Sequence, residues 1–152
     1  MISIAFVINI IATLICVGIT CFLQVVMYPM LKHIGAERFP AFYESYRLKM
    51  TTLSFPIMSL EAFTSIVVLL SYTFRQNITP QMQRSFTVYG ISVFLLLIIH
   101  LATFQAIQPL LKRLSKNFDP KTCDQIVRWN IIRTAGWSLR AILILSTMLF
   151  IG

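Results

Sequence analysis

Asn130-Ile-Ile-Arg-Thr-Ala-Gly-Trp-Ser-Leu-Arg140 runs without a break into Ala141-Ile-Leu-Ile-Leu-Ser-Thr-Met-Leu-Phe-Ile151. The second half is apolar but long enough for only half a bilayer crossing, so the first half must supply the rest. Asn130, Arg133, Trp137 and Arg140 stand at i, i+3, i+7 and i+10, which puts all four on one face of a helix. Arg140 is thereby carried to about mid-membrane. An arginine at that depth costs ~2.5 to 3.5 kcal/mol on insertion scales, so it must face the protein interior and find a partner there.

The rest of the chain fits that reading. Hydrophobic residues make up 57% of its 152 residues and charged residues 12%, with a mean hydropathy of +0.79. A soluble domain does not have this balance. Apolar runs near 3–30, 52–73, 86–111 and 128–151 each reach the length needed to cross ~30 Å of hydrocarbon. The expected fold is all-α: one polytopic four-helix transmembrane bundle forming a single domain over residues 1–152.

The net charge of +8 reads as topology. Lys32, Arg38, Arg47 and Lys49 crowd the first connection, and Lys112, Arg113, Lys116, Lys121 and Arg128 the third. The second has Arg75 and Arg84 around a short polar turn, Asn77-Ile-Thr-Pro80. The positive-inside rule then places connections one and three in the cytoplasm and both termini outside. Basic residues split between loops, with no binding motif beside them, exclude nucleic acid as a partner and point to anionic lipid. Cys16, Cys21 and Cys123 form no CxxC pair and imply neither a disulfide framework nor a zinc site. The N-terminal run lacks a basic n-region and is too long for a cleaved signal, so it is expected to stay as the first span.

Along the first span, Asn9, Thr13, Cys16, Thr20 and Gln24 form a stripe of small or polar residues, the pattern of a face packed on other helices. Tyr28-Pro29 is expected to end that span, because proline cannot continue the backbone ladder. Between Gly35 and Met50, the residues Phe39, Phe42, Tyr43, Tyr46 and Met50 share one side. This is the pattern of a short amphipathic helix lying on the cytoplasmic surface as an anchor. Asp119-Pro120 matches an N-cap followed by proline at the first helical position, so the fourth helix is expected to begin well before the membrane.

Of the five acidic residues, Glu61 alone falls within a span, about nine residues in, or ~14 Å. It either carries a proton or pairs with a cation. His100 lies about eleven residues, ~16 Å, from the cytoplasmic end of the third span, and Arg140 about twelve residues into the fourth. Glu61, His100 and Arg140 thus reach similar depth from three helices, which predicts one buried polar cluster. Asn130 and Arg133 fall at or just below the headgroups, where an arginine can also snorkel.

Several of these pieces carry a resemblance. Gln24-Val-Val-Met-Tyr-Pro29, Phe39 with its following aromatics, Pro56-Ile-Met-Ser-Leu-Glu61, Thr103-Phe104 ahead of Pro109, and Asn130-x-x-Arg133-Thr134-x-x-Trp137-x-x-Arg140 resemble a family of small four-helix bacterial membrane proteins. That family is in turn distantly similar to anthrone-oxygenase-like domains. The resemblance implies a bacterial inner-membrane bundle with a polar site containing Glu61, Asn130, Arg133 and Trp137. Where the family pattern has histidines this chain has Tyr43, Tyr46 and Leu111, so the resemblance carries no histidine metal site over to it.

Three readings of function follow. In the first, a lipophilic molecule with a polar head, quinone-like or aromatic, enters between helices. Arg133 and Asn130 hold its oxygen atoms and Trp137 stacks on its ring. Arg140 completes the binding face, and Glu61 or His100 moves a proton as the catalytic group. In the second, the polar cluster only fixes helix register in a structural or accessory protein, as a homo-oligomer or within a larger membrane complex. The third is a small transporter, although four helices leave little room for alternating access without oligomerising. His33 and His100 are too far apart to ligate one haem, which leaves only a single-histidine haem open. No Ser-His-Asp arrangement, phosphate loop or HExxH motif is present. The residues name no cofactor. An intramembrane ionisable group is by default a functional-site hypothesis, so the first reading leads.

Overall fold

Four long helices take up nearly all of residues 4–75 and 79–149, which are the residues described by the computed structural model. They are α1 (Ile4–His33), α2 (Phe39–Thr73), α3 (Pro80–Lys116) and α4 (Pro120–Met148), and each is long and apolar enough to cross a membrane. Among the described residues there is no strand. Residues 76–78 of the expected outer turn, and the outermost residues of the first and last expected spans, lie outside the described residues.

Every helix extends past its expected span on the side rich in lysine and arginine, called the basic end below. Pro29 does not end α1. The backbone widens to a π-helical turn over Leu23–Met27, and the chain stays helical through a final 3-10 turn at Leu31–His33. Proline lacks an N–H and its ring clashes with the carbonyl four residues back; the wider turn ahead of it relieves both conflicts. The same device recurs in α3, where a π-helical stretch at Ala102–Ile107 precedes Pro109. Gly35, with φ 77°, makes the connection to α2.

α2 departs most from expectation. A separate amphipathic surface helix is not seen: residues 39–50 are the opening turns of one uninterrupted helix, Phe39–Thr73. No helix breaker stands between Lys49 and Thr52, so nothing in the local chain ends the first turns before the membrane span begins. Its aromatic side is core. Phe39 and Tyr43 are buried with Leu31, Leu111, Leu114, Cys123 and Ile126, while Phe42, Tyr46 and Met50 pack against that cluster. The bundle therefore continues beyond the expected spans at its basic end.

α4 begins where Asp119-Pro120 predicted. The Asp119 carboxylate accepts from the backbone N–H groups of Lys121 (3.1 Å) and Thr122 (3.2 Å) and from the Thr122 hydroxyl (2.9 Å). The Thr122 hydroxyl first, and then the Lys121 backbone N–H, holds this carboxyl below its ordinary value. The cap's contribution is accordingly full above the ordinary carboxylate range and is lost as pH falls through the lowered value.

Neighbouring helices run antiparallel. α1 packs on α2 and α4, α3 packs on α4, and the seam between α2 and α3 is the loosest. The α1 stripe does face inward: Asn9, Thr13, Cys16 and Thr20 are all buried. Outward faces carry exposed Ile11, Phe63, Phe94 and Ile142, one from each helix, the apolar exterior that helices able to cross a membrane would need.

Gly136 brings α3 and α4 together. A Cβ built there would lie 2.8 Å from Ile99 Cγ1 and 3.2 Å from its Cδ1, and Ile99 is itself held in the core with Trp137, Cys16 and Leu96. Gly136→Val is expected to lower stability by about 1 to 3 kcal/mol through overpacking, measured by thermal unfolding in mild detergent. Gly90→Ala, where nothing lies within 4 Å of the new methyl group, is the matched control and should hold or slightly raise stability.

Candidate functional site

Polar side chains gather at two levels along α4. The inner level is built around Arg140 and Glu61, both fully buried and joined as an ion pair. Arg140 donates from Nε to Glu61 Oε1 (2.9 Å) and from Nη2 to the same oxygen. Its Nη2 also reaches Ser65 Oγ at 2.6 Å, and Nη1 donates to the Ser92 carbonyl oxygen. Thr13 and Ser65 donate to Glu61 Oε1, each at 3.2 Å. Asn9 Nδ2 caps the group, donating to the Glu61 carbonyl (3.0 Å), Thr64 Oγ1 (3.0 Å) and Ser65 Oγ (2.9 Å), while the Tyr89 hydroxyl donates to Asn9 Oδ1 (2.9 Å).

All four helices contribute to this network, and most of its hydrogen-bonding capacity is used inside the chain. Glu61 Oε2 is the buried atom of this network with no partner among the described residues. An Arg–carboxylate pair with added hydroxyl and amide partners is the arrangement that makes a buried ion pair tolerable. Chemically it fixes how four helices meet. Neither Glu61 nor Arg140 lines the cleft described below.

His100 is not part of it. Its Nδ1 pairs with the Leu96 carbonyl oxygen at 2.9 Å, and its ring lies near Phe104 (6.2 Å between centroids) and edge-on to Trp137 (6.4 Å). The α3 residue level with Arg140 is Ser92, about two helical turns earlier. Depth counted from an expected helix end at residue 111 misplaced His100, because α3 continues to Lys116 and contains the π-helical stretch.

The outer level holds Asn130 and Arg133. Asn130 Nδ2 donates to Gln24 Oε1 (2.8 Å), the Thr20 carbonyl (3.3 Å) and Thr134 Oγ1 (3.3 Å), tying α4 to α1, and Asn130 Oδ1 has no partner among the described residues. Trp137 is 1% exposed, wedged among Cys16, Leu96 and Ile99. It is a core side chain without a free ring face for stacking.

Arg133 differs from all of these. It is only 7% exposed, yet its Nε has no hydrogen-bond partner among the described residues. The two ion pairs among those residues are Arg140–Glu61 and the exposed Lys32–Asp124 pair at 2.5 Å, so no carboxylate faces Arg133. At 7% exposure it is not the snorkelling side chain its position allows, and Tyr43, Tyr46 and Met50 of the extended α2 share the lining of the cleft it faces. Instead it lines a cleft in the loose α2–α3 seam, at the basic end.

The cleft holds about 150 Å³, a volume that in an engineered apolar cavity accepts one benzene ring. Tyr43, Tyr46, Met50, Ser54 and Met58 supply the α2 wall and Thr103, Phe104 and Ile107 the α3 wall, with Tyr28 from α1 and Arg47 at the margin. The three α3 residues belong to its π-helical stretch, where the added backbone turns side chains off the regular helical face, and such bulges concentrate at functional sites. Sequence reasoning did not single out Met58, Ser54 or Tyr28 as lining residues. The available signal was Pro29 and Pro109 inside otherwise helical runs.

Fold and site together define a class: a bundle of four helices long and apolar enough to span a membrane, with one sealed polar network and one open basic cleft. Comparison with protein-family models, with curated proteins and with solved structures gives no match to this chain. The cleft and network are therefore read from their own geometry. Among the described residues no group of three or more His, Cys, Asp or Glu side chains is placed to hold a metal ion.

Proposed function

We propose that this is an integral membrane protein that binds a lipophilic molecule with a polar head in the cleft between α2 and α3. One observation carries the reading: Arg133 is a buried cation with no countercharge among the described residues, and it opens into a cavity walled by aromatic and methionine side chains. A charge held in that state lowers stability and persists where something other than folding uses it. Methionine and aromatic walls suit an apolar, ring-sized group.

The binding residues in this reading are Arg133 with the Tyr28, Tyr43 and Tyr46 side chains around it. Asn130 supports α4 beside the cleft. His100 does not line the cleft; its ring lies 6.2 Å from that of Phe104, which does. Glu61, Arg140 and Trp137 serve the frame. The charge asymmetry favours a cytoplasmic basic end, with the cleft in that half of the bilayer. A bacterial inner-membrane setting rests on the resemblance of the Asn130–Arg140 motif and its companions to the four-helix family.

The test is native mass spectrometry, with an absorption spectrum, on protein extracted in a mild uncharged detergent. Wild type should arrive with a small lipophile. Ser54→Phe, which fills the cleft from the α2 side, should arrive without it, and the two proteins should unfold at the same temperature once both are delipidated. Equal amounts of bulk phospholipid on both proteins, and nothing else, would overturn the proposal.

A further inference from the structure

The lining of the cleft also bears on the charge of what it binds. No aspartate or glutamate lines it. Glu61 is consumed by Arg140 and Asp124 by Lys32. Its polar groups are two arginines, which only donate, several hydroxyls, and Gln108. The Thr103 hydroxyl already donates to the Ile99 carbonyl at 2.8 Å. A neutral carbonyl compound would accept hydrogen bonds here but leave the buried charge uncompensated. An oxyanion does both, and charge-assisted bonds to arginine are the stronger kind.

The volume and the exits limit its shape. About 150 Å³ holds a head and roughly one ring's worth of apolar body. Phe55 and Phe104 line the cleft yet are 66% and 60% exposed on the outer side of the bundle, so the seam is open toward the hydrocarbon. A longer body has a path sideways into lipid. Arg47, exposed at the margin, adds positive potential where an anion arrives.

We infer that the ligand is an amphiphilic anion, with its carboxylate, phenolate or phosphate oxygen against Arg133 and its apolar body leaving between α2 and α3. This rests on the cleft being a binding site and adds the charge class. The shared chemistry is an oxyanion on an apolar body, whether a free amphiphile or a lipid headgroup supplies it.

The experiment uses delipidated full-length protein in uncharged detergent, read by native mass spectrometry. The probes are dodecanoate, dodecanol and dodecyltrimethylammonium, which share one tail and differ in charge. Dodecanoate should be retained at least tenfold better than the other two. Arg133→Gln should abolish that preference, Arg133→Lys should keep part of it, and Arg128→Gln, an exposed basic-end change away from the cleft, should leave it intact. A parallel arm reconstitutes wild type and Arg133→Gln with phosphatidylglycerol or phosphatidylcholine. Arg133-dependent retention of phosphatidylglycerol would support the inference with a lipid as the source of the anion. Equal retention of dodecanol and dodecanoate, both lost in Ser54→Phe, would overturn the charge assignment and leave the cleft standing. Binding of no probe, or loss of dodecanoate equally in Arg128→Gln, would overturn both.

Discussion

Replacing Glu61 by Gln and Arg140 by Met together is expected to cost less stability than the two single changes added, and no more than the worse of them. Each partner is fully buried and each is the other's countercharge. Glu61→Gln keeps an acceptor for Arg140 Nε but leaves a permanent positive charge sealed in the bundle, since arginine does not give up its proton. Arg140→Met strands a carboxylate, which can at least take up a proton. Breaking a buried pair from one side is typically worth about 3 to 5 kcal/mol, and Glu61→Gln should stand at or above Arg140→Met within that range. In the double variant no charge remains, and the new amide can still be served by Asn9, Thr13 and Ser65, which touch the native carboxylate. The coupling is read by reversible unfolding in mixed detergent, followed by far-ultraviolet circular dichroism. Losses that simply add would show that Arg140 and Glu61 do not act as a pair.

The sequence shows why this pairing was foreseeable and why its setting was not. Arg140 had to find a partner, and Glu61 was the only acidic residue at any depth. Charge balance therefore singled it out before geometry did. Two of the remaining partners, Asn9 and Thr13, stood on the α1 stripe already marked by spacing. His100 was drawn in by counting from helix ends, and helix ends are where hydropathy is least informative. An apolar window reports where a helix is greasy, not where its hydrogen-bond ladder stops. α2 and α4 begin far from the apolar windows for that reason. Proline made the counting worse, because a π-helical turn lets a helix pass through a residue that should have ended it.

Arg133 is the case where local reading fails for a physical cause. Its spacing places it one turn inside the expected headgroup level, where a snorkelling arginine is ordinary. Whether it reaches water depends on what stands opposite it, and the facing wall includes Tyr43, Tyr46 and Met50 from the segment 39–50, far earlier in the chain. Read alone, that segment has the pattern of a surface anchor. Joined to α2 it becomes a wall, and the arginine behind it becomes a buried cation with a cavity in front. The two arginines share one face of α4, and the packing of the other helices leaves Arg140 paired and Arg133 facing a cleft.

That separation has a measurable sign. Arg133→Met is expected to raise the stability of ligand-free protein, by about 1 to 4 kcal/mol, whereas Arg140→Met lowers it; the magnitude follows from exchanges of buried charged groups for apolar ones of similar volume. At Arg140 the exchange breaks a satisfied pair; at Arg133 there is no pair among the described residues to break. Methionine keeps much of the length of the arginine stem, so packing against the seam is retained while the charge is removed. A stabilising change that also removes ligand retention is the pattern expected of a site kept for function at the expense of folding. Thermal unfolding of delipidated wild type and both variants, side by side in one detergent, decides it. Adding dodecanoate should then raise the unfolding temperature of wild type but not of Arg133→Met, since a ligand stabilises only the protein that binds it. If Arg133→Met were as destabilising as Arg140→Met, Arg133 would have a partner in the folded protein, and the cleft would lose the charge on which its reading depends.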